Sequence, residues 1–508
     1  MFTVGDALTR IARQQGTKTA LITEDFTLSF TELNEQANRI AWTLHDNGLQ
    51  SGDRVALLLP NGWEMVACYF GIAKAGMMAV PLNVRWTASE LEYAIQDAQV
   101  SVLIADPAFE PVLRDCQRVN CSIYYIEEHG KWQDDLNHAS FDEPDFCVVD
   151  ETDDWLIVYT SGTTGRPKGA VRNHLGTLLV ALSLVMQFGI TPQQVGFAML
   201  PLFHVNSMLF VLLSVIIGST CVVYTKRSVH PRDILRQMTL HRVNYTMLVP
   251  SLWTVLADAM ASVDQSSLAL EILLTSSAPF PASLRDRIMA CLPHARLYDV
   301  YGATEYGAAT VYQHTLHGVE GTVGYPVMGN DLRILDEQQS PVPTGVVGEV
   351  YVRGLTVIKG YWRNPMANAQ AFTNDGYLTV GDMGYLSDDG KLFLVDRKQD
   401  LIVVAGENVY PSEVEDVLWE HPSVGLATVF GVPDALYGER VVAMVMPKAN
   451  FVVSQDELSE LCQRKLAPYK RPYRIAVVSQ LPVGPAGKVV RRQARTLYLE
   501  QQAHPSEE

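Results

Sequence analysis

Short apolar runs alternate with amphipathic stretches between residues 31 and 301. Residues 31–44 have the periodicity of an amphipathic helix, with Thr31 as the predicted N-cap and Gly48 as the stop. Further helices are predicted near 232–241 and 282–291, and buried strands at 54–59, 77–80, 155–158, 245–249, 270–274 and 296–301. Strands joined through helices at this spacing pair in parallel. The sequence therefore predicts an α/β fold in which helices flank parallel sheets.

The pattern of the chain changes after about residue 318. Short strands with Gly/Pro turns, such as 348–353 and 391–395, predict a small barrel-like β part. A compact α+β unit follows and ends in a basic helix. Because 508 residues are too many for one ordinary core, we predict an N-terminal domain over residues 1–397 and a small C-terminal domain over 398–508.

Residues 159–169 form a loop rich in Gly, Ser and Thr directly after the strand at 155–158. Small residues let a backbone approach a ligand, and successive N–H groups in a tight turn bind anions. Arg166 and Lys168 add positive charge, so a polyphosphate matches this set best. The loop is not a Walker A motif, because Gly165 is followed by Arg rather than by Lys and Ser/Thr. A flexible Gly/Ser/Thr linker is the alternative.

Bulk composition disfavours several functions. A net charge of −17 argues against a nucleic-acid-binding surface, which needs Lys and Arg in excess. The seven cysteines are scattered and contain no Cys-x-x-Cys, which suits a reducing compartment and gives no zinc site or disulfide framework. The N-terminus lacks the layout of a signal peptide, so we expect a cytoplasmic protein.

Residues 173–225 contain no Lys, Arg, Asp or Glu and raise the membrane alternative. Pro192, Pro201 and His204 interrupt the segment. Its best uninterrupted piece, residues 208–217, falls short of the roughly 20 residues that a spanning helix needs. We therefore expect a deeply buried helix pair and no membrane span.

Several further stretches match motifs of one enzyme superfamily, and they occur along the chain in the order typical of that superfamily. They are residues 73–76, 80–83, 203–204, 301–305, 348–349, 360–362, 381–382, 406–415 and 487–488. Together with the loop, they resemble the adenylate-forming superfamily of acyl-CoA synthetases, aryl-CoA ligases, firefly-type luciferases and peptide-synthetase adenylation domains. The resemblance covers essentially the whole chain and is closest in pattern to fatty-acid–CoA ligases.

The resemblance implies an acid–thiol ligase that acts in two steps. A carboxylate attacks the α-phosphate of Mg·ATP and gives an acyl adenylate and pyrophosphate; a thiol then displaces AMP. Thr304 would touch the α-phosphate, and Glu305 would hold Mg²⁺, which usually takes one or two carboxylates plus phosphate oxygens. The β- and γ-phosphates would be wrapped by Thr160, Ser161, Gly162, Thr163, Thr164, Gly165 and Lys168. The rest of ATP would contact Ser277, Ala278, Pro279, Asp299, Tyr301, Gly302, Asp382 and Arg397.

In this family the small C-terminal domain is mobile and rotates between the two steps. It would first present Lys488, whose charge would bridge the acyl carboxylate and the α-phosphate. It would then turn the face of Gly406, Glu407 and Asn408 toward CoA. The pivot corresponds to Gln399, where the family usually has Lys or Asp, and Gln is physically acceptable at a hinge.

The predicted acid pocket is mostly apolar or neutral. Its residues are Phe203, His204, Asn206, Met208, Val249, Trp253 and Ser277. His204 would gate the pocket, with a hydrogen-bonded core histidine as the alternative. We expect a medium- or long-chain fatty acid in a slot along residues 208–217, although such apolar runs also form cores. Aryl acids of the cinnamate or benzoate type and carnitine- or crotonobetaine-type acids are the alternatives.

The identity of the thiol leaves three functions open. CoA makes the chain an acid–CoA ligase whose partners are a small acid, ATP and CoA. A standalone enzyme that loads a carrier protein is the second, although the amino-binding Asp of amino-acid-activating domains is absent from residues 205–208 and 249–253. The third is a non-catalytic nucleotide-binding protein, since fold alone does not establish activity. A homodimer is left open.

Overall fold

The computed structural model describes residues 2–160, 167–226, 228–278, 280–315, 318–404, 407–434, 437–448, 451–484 and 489–503. At Arg397, Gln399, Asn408 and Ala503 it describes the backbone alone. The chain divides into two compact units, of which the first comprises residues 1–332 and 352–378 and the second residues 333–351 and 379–508. A large N-terminal unit of sheets and helices with a smaller C-terminal unit confirms the predicted fold class.

Strands and helices alternate along most of the chain. The strands are β1 (Thr19–Ile22), β2 (Thr27–Ser29), β3 (Arg54–Leu58), β4 (Met78–Pro81), β5 (Val102–Ala105), β6 (Ser122–Tyr125), β7 (Asp154–Thr160), β8 (Lys168–Asn173), β9 (Val195–Ala198), β10 (Thr220–Val223), β11 (Tyr245–Leu248), β12 (Ile272–Ser276), β13 (Arg296–Ala303), β14 (Gly307–Gln313), β15 (Thr322–Pro326), β16 (Asn330–Leu335), β17 (Gly348–Gly354), β18 (Gly360–Tyr361), β19 (Asp382–Leu386), β20 (Leu392–Arg397), β21 (Ile402–Val404), β22 (Glu407–Val409), β23 (Val424–Asp434), β24 (Gly438–Pro447) and β25 (Arg474–Val477). The α-helices are α1 (Val4–Gln15), α2 (Phe30–Asp46), α3 (Trp63–Lys74), α4 (Ala88–Asp97), α5 (Glu110–Arg114), α6 (Lys131–His138), α7 (His174–Phe188), α8 (Val205–Ile217), α9 (Pro231–Leu240), α10 (Pro250–Met260), α11 (Ala282–Cys291), α12 (Pro365–Ala371), α13 (Pro411–Trp419), α14 (Gln455–Lys465) and α15 (Arg491–Ala503).

Two mixed sheets form the first unit. One has the order β18-β8-β7-β4-β3-β5-β6, and the other runs β15-β14-β13-β12-β11-β9-β10-β1-β2. The strands predicted to pair in parallel do so, including β3 with β4 and β5, and β11 with β12. Antiparallel pairs occur at β7–β8 and β13–β14, where short connections replace the crossover helix.

Three apolar clusters hold the first unit together. The largest fills the space between the sheets with side chains of α1, α2, α3, α7 and α8. The second covers the opposite face of the longer sheet with α9, α10 and α11, and the third covers the outer face of the shorter sheet with α4 and α5. Burial of both faces explains why these parallel strands read as continuous apolar runs.

The predicted helix at 31–44 begins earlier than expected. Its N-cap is Ser29, which forms a capping box with Glu32, and the helix spans Phe30–Asp46. Thr31 was therefore the wrong cap. The reciprocal bonds between Ser29 and Glu32 satisfy two backbone N–H groups at once, which a cap at Thr31 would not do.

The charge-free segment folds as the expected buried helix pair. Helices α7 and α8 lie in the largest cluster, separated by β9. In the described part of the chain, no helix combines the length and the apolar character needed to cross a membrane.

In the second unit, β22, β21, β24 and β23 form a sheet in that order, and β25 pairs with β24. Helices α13 and α14 cover one face, and α15 covers the other. Strands β16, β17, β19 and β20 are consecutive neighbours in a sheet, which gives the β-rich stretch expected after residue 318. Closure of this β-rich stretch into a barrel stays a prediction. The predicted domain boundary at 397/398 also stays a prediction, because a division into compact units does not identify the segment about which the C-terminal domain rotates.

Candidate active site

The predicted phosphate loop joins two antiparallel strands of the first unit. Thr160 ends β7 opposite Lys168, which begins β8. The Tyr93 hydroxyl donates to the carbonyl of Pro167 at 3.1 Å and holds the C-terminal flank of the loop. The predicted phosphate ligands that lie outside the described residues are Ser161, Gly162, Thr163, Thr164 and Gly165. The described flanks place Thr160 and Lys168 at the two ends of one short connection.

Glu305 is a buried carboxylate just after β13, with 6% of its surface exposed. Its Oε1 accepts a hydrogen bond from the Tyr361 hydroxyl at 3.0 Å and lies 3.5 Å from the Thr160 hydroxyl. A buried carboxylate requires such donors, because it has lost its hydration. The predicted metal ligand and a predicted phosphate ligand therefore meet at one point.

Arg172 stabilises the backbone next to this carboxylate. It is 2% exposed, and its Nη1 and Nη2 donate to the carbonyls of Thr304 at 2.8 Å and Thr356 at 3.1 Å. Burial lowers the pKa of Arg172 to about 10, and the charge of Glu305 opposes that shift. The guanidinium therefore stays charged at neutral pH and compensates the charge of Glu305.

Tyr361 contacts two of the predicted site residues. The Lys168 ammonium lies 5.2 Å from the centroid of the Tyr361 ring, within the range of a cation–π interaction. The hydroxyl of the same residue bonds to Glu305. Burial and then the charge of Glu305 raise the pKa of Tyr361, so the hydroxyl keeps its proton and acts as the donor.

The predicted adenine-binding stretch follows β12. Ser277 has a φ of 74°, in the left-handed region, and its Oγ accepts a hydrogen bond from Asn206 Nδ2 at 3.0 Å. Such backbone strain at a residue other than glycine persists only where its surroundings fix it. Ala278 is half-buried, and Pro279 lies outside the described residues. A predicted acid-side residue, Asn206, is thus in direct contact with the predicted adenine side.

Strand β13 carries the remaining predicted adenine contacts. Burial raises the pKa of Asp299 to about 7, and the Tyr301 hydroxyl lies 2.8 Å from the hydroxyl of Tyr306. A Cβ at Gly302 would lie 2.0 Å from the carbonyl oxygen of Gly307. Packing against the neighbouring strand therefore suffices to require glycine at position 302, whatever that residue does toward ATP.

His204 occupies the N-cap position of α8 and packs on Phe203, with ring centroids 4.4 Å apart. Burial and then the charge of Arg85 lower the pKa of His204 to about 4, so its imidazole is neutral at pH 7. The His204 Nε2 and the Ser207 Oγ are buried without a hydrogen-bond partner among the described residues. Unpaired buried polar groups of this kind are uncommon and call for a partner.

Trp253 does not join the other predicted pocket residues. It is fully buried on α10, and its Nε1 donates to the carbonyl of Leu274 at 3.1 Å. It belongs to the cluster on one face of the longer sheet, whereas Met208 of α8 belongs to the cluster on the other face. The intervening sheet therefore separates Trp253 from α8. Val249 is buried at the end of β11.

The second unit carries the predicted ribose and CoA residues. Asp382 begins β19 directly after Gly381, which has a φ of 85°, and pairs in register with Arg397. Glu407 is exposed in β22. Gly406 and Lys488 lie outside the described residues, and so do the side chains of Arg397, Gln399 and Asn408. The backbone of Gln399 forms part of a short 3-10 helix, Lys398–Asp400.

Two sequence families match successive parts of this chain. The AMP-binding enzyme family matches residues 8–362, and the AMP-binding enzyme C-terminal domain matches residues 413–488. The chain belongs to the AMP-binding enzyme family. This confirms the resemblance to adenylate-forming enzymes. This AMP-binding enzyme is an acid–thiol ligase of the AMP-forming acyl-CoA synthetase type, with ATP and CoA as co-substrates.

Curated relatives of this AMP-binding enzyme align over nearly its full length. The 2-succinylbenzoate–CoA ligase of Bacillus licheniformis is 32% identical over 93% of this chain and 95% of its own. The feruloyl-CoA synthase of an Amycolatopsis species is 32% identical over 96% and 97%. The crotonobetaine/carnitine–CoA ligase of Salmonella paratyphi B is 30% identical over 95% and 96%.

Solved structures show the same fold. ATP-bound MatB from Rhodopseudomonas palustris superposes with a TM-score of 0.90 at 29% identity, over 97% of this chain and 99% of its own. The o-succinylbenzoate CoA synthetase of Bacillus subtilis with ATP and magnesium gives 0.85 at 29%, over 96% and 99%. A Mycobacterium tuberculosis fatty acyl CoA synthetase gives 0.79 at 28%, over 98% and 99%.

The sequence did not assign a role to Arg172 or Tyr361. Tyr361 stands in a stretch, 360–362, that served only to mark the resemblance. Arg172 is the last cation before the charge-free segment, and a cation placed just before a buried helix was the available signal. Neither signal says which backbone carbonyl or carboxylate the side chain reaches.

Proposed function

We propose that this AMP-binding enzyme makes the CoA thioester of an aryl carboxylic acid of the cinnamate or benzoate type. The observation that carries the proposal is the kinship over 93% and 96% of the chain with a 2-succinylbenzoate–CoA ligase and a feruloyl-CoA synthase. The start of α8 agrees with such an acid. A hydroxyl, methoxyl or carbonyl substituent could pair with His204 or Ser207, whose buried polar atoms have no partner in the described structure.

A carnitine- or crotonobetaine-type acid is the second candidate, on the strength of the Salmonella relative. Proteins bind quaternary ammonium groups with aromatic faces or carboxylates. The charged neighbour that shifts the pKa of His204 is Arg85, a cation. Arg85 is exposed, so solvent screens its charge, and the pyrophosphate-exchange panel described below decides between the two kinds of acid.

The expected medium- or long-chain fatty acid has less support. The three curated relatives are named for other acids. Residues 208–217 were expected to line a slot, but residues 208–216 are each 4% exposed or less. All of these nine residues except Ser214 belong to the packed cluster between the sheets. A small apolar cavity does touch Met208, but Tyr69, Trp155 and Val211 also line it, as core side chains do.

The first half-reaction would take place at the end of the β7–β8 connection. An oxygen of the acid carboxylate attacks the α-phosphorus of ATP, and the bond to pyrophosphate breaks. Thr160, the loop at 161–165 and Lys168 would bind the leaving pyrophosphate, while Thr304 would contact the α-phosphate. Adenosine would be held by Ser277, Ala278, Pro279, Asp299, Tyr301, Gly302, Asp382 and Arg397.

Glu305 would hold Mg²⁺. Within the described ranges, no group of three or more His, Cys, Asp or Glu side chains could hold a metal ion. One buried carboxylate beside a phosphate loop nevertheless fits Mg²⁺, which takes phosphate oxygens and water as its remaining ligands. When bound, the ion would supply positive charge at the β- and γ-phosphates.

The C-terminal domain would serve both half-reactions. In the first, Lys488 would stabilise charge at the α-phosphorus. For the second, a rotation at Gln399 would bring Gly406, Glu407 and Asn408 to the thiol side. The CoA sulfur attacks the acyl carbon, and the bond to AMP breaks. His204 would gate the passage. A homodimer and a cytoplasmic location also stay predictions.

Acid-dependent exchange of labelled pyrophosphate into ATP tests the acid. The panel comprises hydroxycinnamates and benzoates, crotonobetaine and carnitine, and fatty acids of eight to sixteen carbons; CoA-dependent AMP release follows for each acid that supports exchange. We expect an aryl acid to give the highest kcat/KM. A fatty acid or crotonobetaine that exceeds every aryl acid would refute the proposed acid, and exchange with none of them would refute the proposed function.

A further inference from the structure

Tyr361 lies between Lys168 and Glu305, two residues of the proposed ATP site. It belongs to β18, which pairs antiparallel with β8, the strand that begins at Lys168. Tyr361 itself lies opposite Ala170. Its ring faces the Lys168 ammonium at 5.2 Å, and its hydroxyl bonds to Glu305 at 3.0 Å. One side chain therefore contacts both the proposed pyrophosphate cation and the proposed metal carboxylate.

The backbone around Tyr361 is held to the same carboxylate segment. The N–H of Ile358 donates to the carbonyl of Glu305 at 2.8 Å. Arg172 joins the carbonyls of Thr304 and Thr356. These bonds fix residues 356–361 against residues 304–305, so the Tyr361 hydroxyl has little freedom to leave Glu305.

We propose that Tyr361 is a positioning residue that sets the spacing between Lys168 and Glu305 and thereby the geometry of the metal–pyrophosphate group in adenylation. The proposal rests on the proposed function, which gives those two residues their ligands. A donor behind a metal-binding carboxylate fixes its orientation, and loss of such partners typically lowers metal affinity about 10- to 100-fold. The ring acts separately, because it holds the Lys168 ammonium, which is the proposed pyrophosphate ligand.

A purely structural role is the competing explanation, since Tyr361 is itself buried. The two roles differ in what a substitution changes. A structural residue affects stability and both half-reactions together. A positioning residue for Lys168 and Glu305 affects only the half-reaction in which pyrophosphate and Mg²⁺ are bound.

Two substitutions separate the functions of the hydroxyl and the ring. Tyr361→Phe removes the bond to Glu305 and keeps the ring, whereas Tyr361→Leu removes both. The matched control is Tyr124→Phe, because the Tyr124 hydroxyl is also bonded to a side-chain oxygen, that of Asn47 at 2.7 Å, on a strand at the far edge of the same sheet.

Three measurements are made on the full-length protein. They are the Mg²⁺ concentration for half-maximal pyrophosphate exchange, the rate of CoA thioester formation from preformed acyl adenylate, and calorimetric ATP affinity with and without Mg²⁺. For Tyr361→Phe we expect the Mg²⁺ requirement to rise about tenfold, ATP affinity to fall only when Mg²⁺ is present, and the second half-reaction to stay within twofold. For Tyr361→Leu, ATP affinity should also fall without Mg²⁺.

Equal losses in both half-reactions, or an unchanged Mg²⁺ requirement in a folded Tyr361→Phe protein, would overturn the proposal. Tyr124→Phe should match the unsubstituted protein in all three assays. Calorimetry with ATP needs no acid, so it reports on Tyr361 even if every acid fails to support exchange. Failure of the proposed function is thereby distinguished from failure of this inference.

Discussion

Replacement of Arg491 should destabilise the second unit strongly. The guanidinium, at the start of α15, bonds to Glu415 at 2.9 and 3.0 Å, to Asp400 at 2.5 Å and to Asp396 at 3.4 Å. The Asp396 and Glu415 side chains are 5% and 8% exposed. Arg491→Met would leave three mutually repelling carboxylates without their shared cation.

The magnitude follows from this burial. Removing one partner of a buried ion pair costs about 3–5 kcal/mol, because the remaining charge has lost both its solvent and its partner. Burial raises the pKa of Glu415, and Arg491 opposes that rise. In the variant the folded protein therefore binds the Glu415 proton more readily than the unfolded chain does. Stability lost at neutral pH should partly return as the pH falls below neutrality.

Hydrogen exchange measured by mass spectrometry tests this prediction, because it reports on α13 and α15 separately from the first unit. A loss of 3–5 kcal/mol corresponds to exchange that is faster by about two to four powers of ten. The control is Arg492→Met, since that neighbouring arginine is exposed. Exchange of α13 in Arg491→Met within threefold of the control, or an equal deficit at pH 7.5 and 5.5, would contradict the reasoning.

Three further predictions concern the first unit. Gly302→Ala should lose about 3 kcal/mol in urea denaturation, since its Cβ would meet a backbone carbonyl oxygen at 2.0 Å; unchanged stability would count against that contact. Burial lowers the pKa of His174 from 6.5 to about 4, so stability that is present above pH 6.5 is lost as the pH falls toward 4. In urea titrations, the free energy of unfolding should fall by about 2 kcal/mol between pH 7 and pH 5, and it should fall by less in the His174→Gln variant. Asn206→Ala removes the 3.0 Å bond to the strained Ser277 and should raise the KM of ATP and of the acid together, about fivefold to tenfold; a rise in only one KM would speak against the shared contact.

Much of the fold was predictable from local pattern. The strands at 54–59, 245–249 and 296–301 are apolar runs between helices, and both faces of their sheets are indeed covered. The wrong cap at Thr31 shows the limit of that approach. Two hydroxyl residues, Ser29 and Thr31, stand at the start of the same helix, and the spacing of Ser29 to Glu32 was the signal that distinguished them.

The site was predictable only in part. Motif order selected Thr160, Lys168 and Glu305, but the side chain that joins the last two comes from residue 361. Such a contact depends on pairing between β8 and β18, which local sequence does not specify. The position of Trp253 was not predictable for a related reason. Trp253 follows the same strand end as Val249, yet its ring belongs to the cluster on the face of the longer sheet opposite to Met208 of α8.

The central proposal is that this enzyme acts in two steps and that Lys488 serves only the first step, adenylation. It is tested most directly by Lys488→Ala, measured in acid-dependent pyrophosphate exchange and in CoA thioester formation from preformed acyl adenylate. We expect the rate of exchange to fall about a hundredfold to a thousandfold, as on removal of one group that stabilises transition-state charge, while the rate of the thioester step stays within about tenfold. Exchange that persists, or equal loss of both steps, would contradict that claim.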